Sequence, residues 1–320
     1  MKLVTAFFRL VRWPNLVFIV VTQLLFYYCI VLSLIHDYGI GSPLQHNEVY
    51  LILLSLSSVL IAAAGYIIND YFDLNIDRIN KPEKLVVEKI IKRRWTIIWH
   101  WALSFAGICI GLFMALKQGE WLIFLSNVAC VILLWFYSTS FKRKLLIGNI
   151  IISLLTAWVI LVLFVYLVSL PVGIVPGWHI PSYGFNVSKL FKLAILYSGF
   201  AFIISLVREV IKDMEDMEGD EKYHCKTMPI VWGVPAAKVF TAVWLIVLIG
   251  ALIILQFYAL HLRWWWSVVY CVLAIIVPLL WILRNLYKAQ VPKDYHRLST
   301  AVKLVMLTGI LSMLFFKIYA

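Results

Sequence analysis

Two short segments of the chain concentrate carboxylate and amide side chains at helical spacing. The first segment contains Asn69, Asp70, Asp73 and Asp77, and the second contains Asp213, Asp216 and Asp220. On a helix, residues three, four, seven or eight positions apart share one face, so each segment would form one acidic row. Two carboxylates ~6 Å apart at an effective dielectric of ~20 repel by roughly 3 kcal/mol, so a cation is needed between them. Because hard Asp and Asn oxygens suit Mg²⁺, which also binds phosphate oxygens, the pattern predicts a diphosphate bridged to both rows by Mg²⁺.

Each row on its own could instead be a solvated helix end. The lysines close enough in sequence to neutralise the rows are Lys81, Lys84, Lys212 and Lys222. The two segments, however, hold 12 of the 16 carboxylates of the chain, and both directly follow an apolar span. This concentration favours a metal site over two unrelated charged surfaces.

The elements that must position these rows are membrane helices. The chain has 320 residues, of which 63% are hydrophobic and 14% charged, which excludes a water-soluble globule. Apolar runs of about 20 residues match the hydrocarbon thickness of a bilayer. We predict an all-α polytopic membrane protein with nine spans, near residues 13–35, 49–68, 95–116, 121–138, 147–169, 190–207, 239–258, 264–283 and 302–319.

The basic residues predict the orientation of these spans. With the N-terminus inside, 23 of the 28 Lys and Arg residues fall on the inner side, where basic loops are retained. The prediction is therefore N-in and C-out, with both acidic rows at the cytoplasmic face of a prokaryotic inner membrane. Although the net charge is +12, the membrane context favours anionic lipid or a phosphorylated substrate over nucleic acid.

Other residues indicate packing rather than chemistry. The five cysteines form no CxxC pair and the seven histidines no pair at metal-ligand spacing, so zinc and haem sites are not expected. We interpret His100 as a hydrogen-bonded packing residue and Gly107-x-x-x-Gly111 as a helix contact, and Pro278 predicts a kink.

The two acidic rows resemble the signature motifs of a known family. Asn69-Asp70-x-x-Asp73-x-x-x-Asp77, with the following Arg78-x-Asn80-x-Pro82, and Asp213-x-x-Asp216-x-x-x-Asp220 are similar to the motifs of the UbiA superfamily of intramembrane prenyltransferases. The nine spans also fit that family. Residues 208–220 and 226–230 are most similar to its digeranylgeranylglyceryl phosphate synthases. The stretch 83–88 departs from the family pattern, which leaves the substrate contacts of that loop open.

The resemblance implies a single domain over residues 1–320 that bundles its helices around a central cavity. Both rows would bind Mg²⁺ and a prenyl diphosphate, with Asp73, Asp77, Asp216 and Asp220 as the catalytic carboxylates. Asn69 would act as a further metal ligand, supported by Asp70 and Asp213. Lys142 lies in a stretch, 137–142, that is similar to a family element contacting diphosphate.

Further candidates surround the acidic rows. Besides Lys142, the residues expected to contact the diphosphate are Arg208, Lys84, Arg78 and Tyr137. Arg12 and Asn15 match an opening motif of the family and are candidates for an acceptor phosphate, although a membrane anchor and a helix cap would explain them as well.

Three functions remain open on the sequence. The first is Mg²⁺-dependent transfer of a prenyl group, expected to be geranylgeranyl, to geranylgeranylglyceryl phosphate. The second keeps the chemistry but uses an aromatic acceptor such as 1,4-dihydroxy-2-naphthoate or 4-hydroxybenzoate. A cation transporter is the third, disfavoured because no Asp or Glu occurs mid-span, where transporter sites lie. The expected partners are the two lipophilic substrates and membrane lipid, with neither nucleic acid nor an obligate protein partner.

Overall fold

Helices account for nearly all of the structure. The computed structural model describes residues 2–36, 48–83, 85–119, 121–169 and 187–319. Its helices are α1 (Lys2–Leu10), α2 (Trp13–Leu25), α3 (Leu32–His36), α4 (Glu48–Asn80), α5 (Arg93–Gln118), α6 (Trp121–Thr139), α7 (Ile147–Ser169), α8 (Val187–Glu215), α9 (Met217–Lys222), α10 (Met228–Val231), α11 (Val234–His261), α12 (Trp265–Cys271), α13 (Val277–Lys288), α14 (Pro292–Leu311) and α15 (Leu314–Tyr319). Short π-helical turns lie at Phe26–Val31 and Val272–Ile276, and a 3₁₀ turn lies at Phe141–Arg143.

The predicted nine membrane spans are confirmed within these described residues. The helical runs long and apolar enough to cross a bilayer are Trp13–Leu34, Glu48–Asn80, Arg93–Gln118, Trp121–Thr139, Ile147–Val168, Val187–Glu215, Val234–His261, Trp265–Lys288 and Pro292–Tyr319. Three of these helical runs are much longer than the predicted spans, because hydropathy left out their charged turns. They are Glu48–Asn80, Val187–Glu215 and Pro292–Tyr319. The chain is an integral membrane protein.

The long helix α4 carries the whole first acidic row. It has 33 residues, or ~50 Å at 1.5 Å per residue, against a hydrocarbon thickness of ~30 Å. Asn69, Asp73 and Asp77 therefore lie on consecutive turns of one uninterrupted helix, as the spacing predicts.

The second acidic row does not lie on one helix, which corrects the sequence expectation. The helix α8 ends at Glu215, Asp216 has φ −97° and ψ 8°, and α9 begins at Met217. The break is stabilised from outside the row, by a side chain of α4 described below. Spacing alone fits an unbroken helix, so the sequence gives no sign of it.

The packing predictions for His100 and Gly107 are confirmed. His100 is 1% exposed, with its Nδ1 3.0 Å from the Ala64 carbonyl oxygen. A Cβ on Gly107 would come within 2.7 Å of Ile61, so the glycine permits close contact between α4 and α5. At Pro278, the missing N–H leaves the carbonyl of Ala274 without its helical donor. A π-helical turn precedes the proline, and Thr308 Oγ1 donates to that carbonyl at 2.9 Å.

Candidate active site

The helices enclose a cavity of about 1000 Å³ that joins the two acidic rows to an apolar interior. Its lining comes from α2, α4, α6, α7, α8 and α14. The polar part contains both rows. The apolar part includes Phe18, Ile19, Trp158, Val162, Met306 and Met313. A ligand with a charged head and a long hydrocarbon tail fits this distribution.

Asp73 is the most enclosed member of the first row. It is 4% exposed, and its Oδ2 accepts hydrogen bonds from Asn69 Nδ2 at 2.6 Å and from Lys142 Nζ. Asp77 lines the cavity one turn further on. Asp70 forms an ion pair with Arg12, with 2.7 Å between Oδ1 and the guanidinium.

Lys142 reaches this row from the 3₁₀ turn between α6 and α7. A Cβ on Gly148 would lie 2.9 Å from the Cα of Lys142, so only glycine lets the turn approach α7 this closely. Burial would lower the pKa of Lys142, but the carboxylate of Asp73 outweighs that effect and raises the pKa above its usual value. Lys142 is therefore a permanent cation at the cavity wall.

Two members of the second row bond to residues from other segments. Asp213 Oδ2 accepts a hydrogen bond from Asn149 Nδ2 of α7 at 2.8 Å, and Asp216 Oδ2 pairs with Lys81 Nζ at 2.6 Å. Asp220 is 5% exposed, and burial raises its pKa to about 6. Lys142 and Lys81 thus each pair with one carboxylate, Asp73 in the first row and Asp216 in the second.

Asn80 joins the end of α4 to the break between α8 and α9. Its Nδ2 donates to the carbonyl oxygen of Asp216 at 2.8 Å, and its Oδ1 accepts from the backbone N–H of Gly219 at 2.8 Å. A Cβ on Gly219 would lie 2.6 Å from the Asn80 side chain. These contacts satisfy backbone groups that the helix break leaves open, and they fix the two rows relative to each other.

The cavity brings together most of the residues that the sequence singled out. Its lining includes Asn69, Asp70, Asp73, Asp77, Asp213, Asp216, Asp220, Lys142, Arg208, Tyr137, Arg12 and Asn15. Arg78 does not line it, because on α4 it points away from the row and pairs with Glu88 at 2.7 Å. Lys84 lies outside the described residues.

Several cavity residues were not singled out from the sequence. Asn149, Glu209 and Lys303 line the cavity from α7, α8 and α14. Lys303 had one usable signal, since an ionisable residue inside an apolar span is expected to face a cavity. Asn149 had none, because a single amide in an apolar run produces no pattern.

The donor set fits a hard cation shared with a ligand. Within the described part of the chain, no three carboxylate, imidazole or thiol groups converge into a ready-made metal cage. Asn69 Oδ1 is buried, however, and accepts no hydrogen bond from the described residues. A buried amide oxygen beside the Asp73 carboxylate is a ligand suited to Mg²⁺, which characteristically takes a few protein oxygens and completes its shell with phosphate and water.

Comparison with known proteins agrees with this architecture. The digeranylgeranylglyceryl phosphate synthase of Methanosphaera stadtmanae is 29% identical over 271 residues, which cover 83% of this chain and 88% of that protein. A solved structure of a digeranylgeranylglyceryl phosphate synthase has a TM-score of 0.59 at 22% identity, over 98% of this chain and 99% of that one.

A second solved structure is a UbiA homologue from Archaeoglobus fulgidus bound to GPP and Mg²⁺. It has a TM-score of 0.55 at 17% identity, over 96% of this chain and 99% of that chain. The model of the UbiA prenyltransferase family matches residues 11–310. The chain therefore belongs to the UbiA prenyltransferase family, as its motifs predict.

Proposed function

We propose that this prenyltransferase moves a geranylgeranyl group from its diphosphate to the free hydroxyl of geranylgeranylglyceryl phosphate, in a reaction that requires Mg²⁺. The observation that carries the proposal is the convergence of both acidic rows on one cavity that also has an extensive apolar wall. Relatives with that synthase activity, matched over most of this chain, support the choice of acceptor.

The metal ligands in this proposal come from both rows. Asn69, Asp73 and Asp77 would hold Mg²⁺ from α4, and Asp216 and Asp220 from the region after α8. Asp70 and Asp213 support them through their bonds to Arg12 and Asn149. Mg²⁺, when bound, would neutralise charge on the diphosphate and make it a better leaving group.

The residues of the chain provide the rest of the chemistry. The bond between C1 of the prenyl group and the diphosphate oxygen breaks, and its electron pair leaves with the diphosphate. Lys142, held as a cation by Asp73, donates a hydrogen bond to the departing group. The acceptor hydroxyl oxygen then bonds to C1 and gives up its proton, for which we assign Asp213 as the base because no cation pairs with it among the described residues.

The basic residues support an orientation with the N-terminus and the acidic rows on the cytoplasmic side. Of the 28 Lys and Arg residues, 23 fall on that side in the nine-span arrangement. We further propose that residues 1–320 act as one domain, without an obligate protein partner.

Product mass tests the proposed function directly. The purified protein is given geranylgeranyl diphosphate with equal amounts of geranylgeranylglyceryl phosphate, 1,4-dihydroxy-2-naphthoate and 4-hydroxybenzoate, with Mg²⁺ or with EDTA. We expect the digeranylgeranylglyceryl phosphate mass in the Mg²⁺ reaction only. Prenylation of an aromatic acceptor alone would contradict the choice of acceptor, and a product in EDTA would contradict the role of the metal.

A further inference from the structure

A second group of cations lines the same cavity, apart from Lys142 and Lys81, the two lysines that pair with Asp73 and Asp216. Arg12 lies in the turn between α1 and α2, Arg208 lies on α8, and Lys303 lies on α14. The Nζ of Lys303 donates to Asn15 Oδ1 at 2.6 Å. Arg12 has φ 52°, a left-handed conformation that is costly for a residue with a side chain and recurs at functional sites.

These cations share few acidic partners. Arg208 and Lys212, one turn along α8, both bond to the carboxylate of Glu209 at 3.0 Å. Lys303 pairs with no carboxylate among the described residues. The Nε of Arg208 is buried and has no acceptor in the described part of the chain.

The ion pairs of this group leave positive charge unpaired. The four cations Arg12, Arg208, Lys212 and Lys303 share two ion-paired carboxylates, Asp70 and Glu209. Holding unpaired positive charge in a partly buried site costs free energy unless an anion enters it. A phosphomonoester carries a charge of about −1.5 to −2 near pH 7 and offers several oxygen acceptors, so it suits these cations.

We propose that Arg12, Arg208 and Lys303 form a subsite for the phosphomonoester head group of the acceptor, and that Lys303 makes the enzyme prefer a phosphorylated acceptor. The inference rests on the proposed function and adds to it the residues that select the second substrate. It assigns Arg208, a diphosphate candidate on the sequence, to the acceptor, because Arg208 pairs with Glu209 and with no member of either acidic row, and its buried Nε has no acceptor among the described residues. The diphosphate remains with Lys142 and the acidic rows.

The test compares two acceptors that differ only in the phosphate. Transfer from geranylgeranyl diphosphate is measured to geranylgeranylglyceryl phosphate and to geranylgeranylglycerol, for the wild type, Lys303→Met and Lys303→Arg. Loss of one charged hydrogen bond should raise KM for the phosphorylated acceptor by roughly tenfold in Lys303→Met. KM for the prenyl diphosphate should stay within about twofold. Lys303→Arg should recover most of the affinity, and Lys317→Met, an exposed lysine of α15, should behave as the wild type.

A second measurement does not depend on a variant that must fold. Glycerol phosphate should inhibit the wild type in competition with the phosphorylated acceptor and not with the prenyl diphosphate. The subsite is overturned, and the proposed function stands, if Lys303→Met keeps the wild-type KM or if glycerol phosphate competes with the diphosphate alone. No transfer by the wild type to either acceptor overturns both.

Discussion

At the scale of single residues, each acidic row shares a carboxylate oxygen with a lysine from another segment. Lys142 contacts Asp73 from the turn after α6, and Lys81 contacts Asp216 from the end of α4. Both carboxylates keep a second oxygen free of an ion pair with these lysines. A metal cation can therefore bind the second oxygen of each carboxylate while the lysine stays in place.

Neutralising one carboxylate in either row should abolish most of the activity. Asp73→Asn and Asp216→Asn keep the size and a hydrogen-bonding group but remove the charge that holds the metal. We expect kcat for diphosphate release to fall by at least about 100-fold in each. Glu218→Gln, an exposed acid between Asp216 and Asp220, is the matched control and should stay within about twofold. Near-normal rates in both Asp variants would remove these residues from the site.

The ionised carboxylate of Asp220 should lower the folding stability of the metal-free protein, and a bound metal should remove that effect. Burial raises its pKa to about 6, above the ordinary value for an aspartate in the unfolded chain. The folded state therefore favours the protonated form, and the carboxylate present at pH 7.5 weakens folding. This penalty shrinks as the pH falls through about 6 and is gone below about 4. We expect Asp220→Asn to raise the thermal midpoint of the metal-free protein at pH 7.5 by a few degrees.

The same thermal measurement in the presence of Mg²⁺ and a prenyl diphosphate supplies the control. There the wild type should gain stability from its ligands and Asp220→Asn should gain much less. A midpoint of metal-free Asp220→Asn equal to or below that of the wild type, with Glu218→Gln unchanged, would contradict the penalty.

The residue types of the site were predictable, and their partners were not. The spacing of Asp73 and Asp77 on a helix indicated a shared face, and that is confirmed. Arg78 was a poor prediction because consecutive helical residues diverge by about 100°, so the residue after Asp77 leaves the row. Asn149 reaches Asp213 only through the packing of α7 on α8, which no single segment of sequence encodes.

At the scale of elements, the ends of α4 and α8 are tied by Asn80. The amide makes one donor and one acceptor bond to the backbone of the α8–α9 break. The length of α4 was underestimated from hydropathy, because its last turns are polar and lie outside the apolar run. The break after Glu215 could not be predicted, since the pattern of Asp213, Asp216 and Asp220 also fits a continuous helix.

Removing the Asn80 amide should loosen one row against the other. In Asn80→Ala the N–H of Gly219 loses its partner, and the carbonyl of Asp216 keeps only the N–H of Asp220, 3.2 Å away. Each lost bond is worth about 1 kcal/mol. We expect the Mg²⁺ concentration for half-maximal activity to rise by roughly tenfold while the protein stays folded. Asn285→Ala, which removes a half-buried amide of α13 bonded within its own helix, is the control. An unchanged Mg²⁺ requirement in Asn80→Ala would show that the rows do not depend on this contact.

At the scale of the whole molecule, the cavity extends far from the acidic rows. Along α4 its lining runs from Asp73 to Ser58, 15 residues, or ~22 Å of helix. Along α8 it reaches Tyr197, whose hydroxyl lies 3.1 Å from the Ser312 hydroxyl after α14. Composition sufficed to predict the membrane class and the nine spans, but the depth of the cavity depends on how side chains of separate helices meet.

Tyr197 should limit the length of the prenyl chain. Tyr197→Ala enlarges the remote end of the cavity and leaves the acidic rows untouched. In competition between geranylgeranyl diphosphate and the diphosphate one isoprene unit longer, the ratio of kcat/KM should shift by roughly tenfold toward the longer chain. Phe191→Ala, an exposed aromatic of α8, should keep the wild-type ratio. A constant ratio in Tyr197→Ala would place the end of the prenyl chain elsewhere.

Both acidic rows should hold one metal-bound diphosphate, and a crystal structure with Mn²⁺ and an unreactive thiodiphosphate analogue tests this most directly. We expect anomalous Mn²⁺ peaks bonded to oxygens of Asp73 or Asp77 and of Asp216 or Asp220, with the diphosphate bridging them. Metal peaks confined to one row, or a diphosphate bound away from both, would contradict it.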